Sequence, residues 1–118
     1  MKEIIKNICQ LPVSLKKLNK SIYALLKDSC YYDSPDLVTE SLIKNYLINN
    51  QEVINEWLIY SSDKRTSSGW YFEENDKHNK YIVGYLSSGN RCNETVFSNI
   101  VDACTMFILR EIEDIRKS

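Results

Sequence analysis

Over Lys64-Arg65-Thr66-Ser67-Ser68-Gly69-Trp70-Tyr71-Phe72 the chain stops repeating its apolar residues every three or four positions and begins to string aromatic residues together. The first period is that of a helix face, and the second composition fits a pleated strand. A chain that makes this change is expected to be neither all-helical nor all-β. The expected class is α+β: a helical N-terminal half, a central antiparallel β-hairpin or small sheet, and a long C-terminal helix packed on it. At 118 residues, with 43% hydrophobic residues and only three Gly and two Pro, the chain suits one core and one domain, residues 1–118.

In the first half, Leu15, Leu18, Ile22, Leu25 and Leu26 recur at helical spacing with Lys16, Lys17, Lys20 and Lys27 between them, which predicts one amphipathic helix over Ser14 to Asp28. Pro12 suits its first turn, and Ile4, Ile5 and Ile8 fit a short helix before it. Ser34-Pro35-Asp36 reads as a helix start, with a hydroxyl to cap, a preset φ and a carboxylate at the positive end of the dipole. A helix over Pro35 to Ile48 is therefore expected, burying Val38, Leu42, Ile43, Tyr46 and Leu47. A third helix follows Asn49-Asn50 and carries Val53, Ile54, Trp57, Leu58 and Ser61 on one face.

Trp70-Tyr71-Phe72 and Tyr81 to Leu86 predict two antiparallel strands joined by the polar link Glu73 to Lys80, with a further strand from the region of Tyr60 as an option. Alternation sets Tyr81, Val83 and Tyr85 on one face and Ile82, Gly84 and Leu86 on the other. Gly84 suggests a close approach of a helix. After the turn chemistry of Ser87-Ser88-Gly89-Asn90, a cap at Asn93 or Thr95 and the run Val96, Ile100, Val101, Cys104, Phe107, Ile108, Ile112 and Ile115 predict a helix over Glu94 to Arg116 at the centre of the core.

A net charge of −1 with no dense Lys/Arg block argues against direct binding of nucleic acid. No run approaches the roughly 18 apolar residues of a membrane span. Charges interrupt the apolar residues of Met1 to Ile8, unlike the apolar region of a secretory signal, so a cytoplasmic protein is expected. There Cys9, Cys30, Cys92 and Cys104 would be reduced thiols, with Cys104 a small buried hydrophobe. With no Cys-x-x-Cys pair and His78 as the only histidine, neither a metal nor a cofactor is expected.

Nucleophilic catalysis needs a base beside the nucleophile, and His78 sits in the charged link Glu73-Glu74-Asn75-Asp76-Lys77-His78-Asn79, a wet setting for a base. The carboxylates of that link lack the dry concave surroundings that shift a pKa, which leaves a solvated loop or an acidic recognition patch. The Lys64 to Gly69 segment reads as a plain connection, a partner contact or an anion-binding turn, without the glycine spacing of a phosphate loop. Among the tyrosines, Tyr31, Tyr32, Tyr60 and Tyr71 are the expected exposed ones, whereas Trp57 and Trp70 are expected beneath the helices.

Ser62-Asp63 through Phe72, Tyr81-Ile82-Val83-Gly84-Tyr85 and the closing helix Phe97 to Ile115, in a chain rich in Asn, Ile, Lys and Tyr, resemble the immunity proteins of bacterial polymorphic toxin systems, including contact-dependent growth inhibition. The resemblance implies a non-enzymatic protein that binds the C-terminal domain of a cognate toxin, commonly a nuclease, one to one. A basic nuclease site calls for an acidic, tyrosine-bearing inhibitor face, for which Asp63, Tyr71, Glu73, Glu74 and Asp76, joined by Asp28, Asp33 and Asp36, are the candidates. An adaptor or regulatory domain with a non-toxic partner, and a small enzyme or ligand binder using the Arg65 to Gly69 turn, are the alternatives.

Overall fold

A computed structural model describes residues 2–64, 68–75, 77 and 79–118. The described chain runs α1 (Lys2–Cys9), α2 (Leu11–Lys17), α3 (Ile22–Asp28), two short 3-10 turns (Tyr31–Asp33 and Pro35–Leu37), α4 (Glu40–Asn49), α5 (Glu52–Asp63), β1 (Gly69–Asn75), β2 (Lys80–Ser87), β3 (Asn90–Phe97) and α6 (Ile100–Lys117). The strands form one antiparallel sheet in the order β1-β2-β3. The α+β architecture expected from the sequence is thus the architecture found, with a third strand added to the hairpin.

α6 carries the core. Val101, Cys104, Phe107, Ile108, Ile112 and Ile115 are all buried, and Phe107 meets Phe72 of β1 at 5.8 Å and Trp57 of α5 at 5.9 Å. Phe72 and Val83, paired across β1 and β2, turn toward this helix. A helix buried against a sheet on one side and helices on the other needs apolar residues over more than one narrow stripe, which accounts for the breadth of its buried face. Cys104 is fully buried, and removal from water holds its thiol well above its ordinary value. No described helix is long and apolar enough to cross a membrane.

The expected helix over Ser14 to Asp28 is two helices. Leu18 is extended (φ −110°, ψ 142°), and Ser21 starts α3 afresh by accepting from the Ala24 amide at 3.2 Å. Leu18, counted in the apolar stripe, is half exposed as a result. The helix expected from Pro35 begins five residues later, at Glu40, because Thr39 caps it by accepting from the Leu42 amide. Ser34 makes no side-chain cap, and Pro35–Leu37 closes only a 3-10 turn.

The largest correction is at the last helix, whose expected first turn is strand β3. Ser88 (φ 50°) and Gly89 (φ 82°) both occupy the left-handed region between the paired residues Ser87 and Asn90, the requirement of a two-residue type I′ hairpin turn. The cap is Asn99, which accepts from Val101 at 2.8 Å and Asp102 at 3.3 Å, and not Asn93 or Thr95. The third strand does not come from near Tyr60, which lies in α5.

Asn93 (φ 52°) marks an extra residue in β3 where the register shifts between Val83 and Tyr85. Gly84 is approached by a side chain rather than by a helix. Tyr71, its cross-strand partner, lies flat over it, and a Cβ on Gly84 would sit 2.5 Å from the Tyr71 hydroxyl oxygen.

Candidate functional site

Two groups of polar contacts, one around buried Glu111 and one around half-buried Glu113, fix the surroundings of α6. On one side Glu111, almost fully buried, accepts from Tyr60 Oη and from Lys64 Nζ at 2.9 Å, and Lys64 also donates to the Trp70 carbonyl at 2.9 Å. This ties α5, α6 and β1 together at one point. On the other side Glu113 takes Arg116 in a forked pair, at 2.6 and 2.9 Å, and accepts from Tyr31 Oη of the first 3-10 turn. The Arg116 guanidinium, with the Tyr31 hydroxyl and Lys117 adding to it, holds the Glu113 carboxyl down at about 2.

Because that folded value lies below the ordinary 4.5, the Glu113 contribution to stability is complete above about pH 4.5 and is lost as the pH falls toward 2. Glu113→Gln is expected to flatten the pH dependence of thermal unfolding in that window while leaving it unchanged near neutrality. A melting series from pH 7 down to pH 2 reads this directly.

An open cleft of about 880 Å³ runs along the outer side of α6. Trp70, Phe97, Met106 and Leu109 give it an apolar lining, and each is only partly buried. Trp70 is therefore not beneath the helices as expected. It meets Tyr85 edge-on at 5.2 Å and carries the Arg110 guanidinium over its face at 5.3 Å. The charged lining is Glu40, Asp102, Glu113 and Asp114 against Lys44, Arg110 and Lys117. Lys44 is held by Asp102 at 2.8 Å and Lys117 lies 3.9 Å from Glu113, whereas Glu40 and Asp114 make no ion pair among the described residues. Four acids thus line an aromatic and aliphatic floor with three bases, and Arg116, paired with Glu113, brings the charge there to balance.

The residues expected to face a partner are divided by this arrangement. Asp33 and Asp36 stand exposed in the 3-10 turns, beside exposed Tyr32 and Leu37. The Tyr31–Glu113 bond places that segment next to the cleft, whose rim begins at Glu40. Asp28 is exposed and paired with Lys20 at 2.9 Å. Asp63 ends α5, and Glu73 and Glu74 lie on β1, in the region tied to α6 through Glu111. Glu111 and Glu113 are two positions apart and so about 200° apart around the helix, which sets the two acid groups on different sides of α6. Asp76, like His78 and Arg65 to Ser67 of the proposed anion turn, lies outside the described residues.

Tyr71 is buried rather than exposed, its hydroxyl donating to Glu94 at 2.6 Å and its ring covered by Arg91 at 4.9 Å. Burial first, then the bond to Glu94, pushes its phenol up to about 12. Glu73 takes Arg91 in a forked pair at 2.6 and 3.0 Å. Tyr31 is also buried and Tyr60 half-buried, while Tyr23, which the spacing did not single out, is exposed. The cleft residues were missed because they come from three separate stretches, at 40–44, 70 and 97–117, and the signal that could have found them is the unbroken aromatic run beginning at Trp70. Among the described residues no group of three or more His, Cys, Asp or Glu is placed to hold a metal ion. No family model, curated protein or solved structure matches this chain.

Proposed function

We propose that this chain is a cytoplasmic immunity protein that binds the C-terminal domain of a cognate bacterial toxin, one to one and without turnover, and so denies the toxin its substrate. The observation that carries the reading is the α6 cleft, with its floor of Trp70, Phe97, Met106 and Leu109 and its charged rim of both signs. Partly exposed aromatic and methionine side chains framed by charge are the composition of a protein-binding surface. Asp33 and Asp36 add exposed acids beside the cleft and suit a toxin whose substrate site is basic, as a nuclease site is.

The test is co-expression with the C-terminal domain of the protein encoded beside this gene, expected to be the toxin. Cells carrying both are expected to survive and to yield a one-to-one complex, whereas cells with the toxin domain alone die. Death in both cases would remove the reading. A bound neighbour that harms no cell would replace it with the adaptor reading.

A further inference from the structure

The sheet has two edges, and among the described residues only the β1 edge has side-chain bonds to its outward backbone groups. At β1, Ser61 Oγ of α5 accepts from the Phe72 amide at 2.7 Å and Lys64 Nζ, just past α5, donates to the Trp70 carbonyl, so two outward groups of that strand are taken. These two contacts also fix the ladder. Since Trp70 and Phe72 turn their backbone groups away from β2, their partners Tyr85 and Val83 turn theirs toward β3. Thr95, opposite Val83, and Phe97, opposite Tyr81, therefore bond inward. Planar trans peptides then point the Glu94 carbonyl, the Val96 amide and carbonyl, and the Ser98 amide outward from the free edge. No side chain or backbone group among the described residues pairs with them.

The other half of β3 is blunted in the usual ways, by the extra residue at Asn93 and the charged Arg91. The Glu94 to Ser98 stretch beyond it has no extra residue and only Glu94 as a charged side chain, and Val96 on it is 55% exposed. Its Phe97 forms one wall of the α6 cleft. A strand laid along this edge would therefore continue the sheet and hang alternate side chains over the cleft.

We propose that the partner engages by strand addition: an extended segment of the toxin domain pairs with Glu94 to Ser98, and its inward side chains, apolar or basic, enter the cleft. The assignment of the occupant rests on the immunity reading and on charge, since the cleft rim keeps unpaired Glu40 and Asp114 while Lys44 is already held by Asp102. Lys or Arg on the added strand can pair with Glu40 and Asp114 there, while Arg110 is the one lining base in no ion pair among the described residues.

Amide hydrogen exchange on the free chain and on its complex with the neighbouring toxin domain tests this without a variant. Free, Thr95 and Phe97 should exchange slowly and Val96 and Ser98 fast; in the complex the latter two should slow by at least roughly tenfold, as newly bonded amides do. Val96→Pro removes only an outward donor, at an edge position that tolerates proline, and is expected to weaken the complex by about tenfold or more.

Three outcomes separate the claims. If the wild-type chain neutralises the toxin while Val96 and Ser98 exchange as before and Val96→Pro binds equally well, strand addition is wrong and the immunity reading survives. If the wild-type chain neutralises nothing, the immunity reading falls and takes this occupant with it. If the two amides slow with rising concentration of this chain alone and the particle mass doubles, the edge belongs to a second copy and the assignment to a toxin segment is overturned.

Discussion

Glu111→Ala lowers the free energy of unfolding by roughly 3–5 kcal/mol, the usual cost of removing one partner of a buried ion pair, and melting falls by roughly 10–20 °C for a chain of this size. The Glu111 side chain is 3% exposed and that of Lys64 18% exposed. The substitution leaves the Lys64 ammonium with the Trp70 carbonyl and the Tyr60 and Phe107 ring faces but no counter-charge, and the half-buried Tyr60 hydroxyl without its acceptor. Alanine suits a helix interior, so no loss of propensity clouds the result. A control separates the charge from the packing: Lys64→Met with Glu111→Met removes both members, and its stability should lie within about 2 kcal/mol of wild type or above it, because an apolar pair of similar volume escapes the desolvation cost. Urea unfolding of the three proteins measures all of this. Equal losses for the single and the double variant would show that shape, not charge, is what Glu111 supplies.

Trp57→Ala is expected to cost about 3–5 kcal/mol, the range for emptying a fully buried aromatic site. Trp57 has no solvent exposure and meets Tyr60 at 5.4 Å and Phe107 at 5.9 Å, both edge-on. Its indole N–H donates to the Cys9 carbonyl at 2.9 Å, one of the terminal carbonyls that α1 cannot satisfy within itself. Alanine thus opens a cavity and orphans a buried acceptor in one step, while Trp57→Phe orphans the acceptor but fills most of the cavity and should cost less. Denaturant midpoints order the three proteins, and a loss below about 1 kcal/mol for the alanine variant would mean that the neighbours collapse into the space. Because Trp57 and Glu111 share Tyr60, their effects should not add.

Where local chemistry and tertiary packing agree, the sequence was sufficient. Val53, Ile54, Trp57 and Ser61 do form the buried face of one helix, α5. The pairing of Trp70 to Phe72 with Val83 to Tyr85 follows the expected alternation. Val96 and Phe97 were misread because they keep helical spacing with Ile100 and Val101 as well as strand alternation with Thr95. The two-residue turn at Ser88-Gly89 decides between these, and periodicity does not weigh turns. Leu18 misled in the same way, since it fits the stripe and only the Ser21 cap breaks the helix.

The candidate site was less legible than the fold. Tyr71 and Glu73 look available in the sequence, but the register sets them beside Gly84, Glu94 and Arg91, which consume them. Asp33 and Asp36 do reach an accessible surface, because Tyr31 anchors their segment to Glu113. The cleft itself exists only once α4 and the sheet are both packed against α6, and no short stretch of sequence announces that.

The central claim is the proposed stoichiometric neutralisation, and titrating a toxin domain, should one be encoded beside this gene, with this chain, while following residual toxin activity, tests it most directly. Activity should fall in a straight line to zero at one equivalent, with the chain recovered unchanged from the complex. Loss of activity at a small fraction of an equivalent would reveal an enzyme, and full activity at several equivalents would contradict the account altogether.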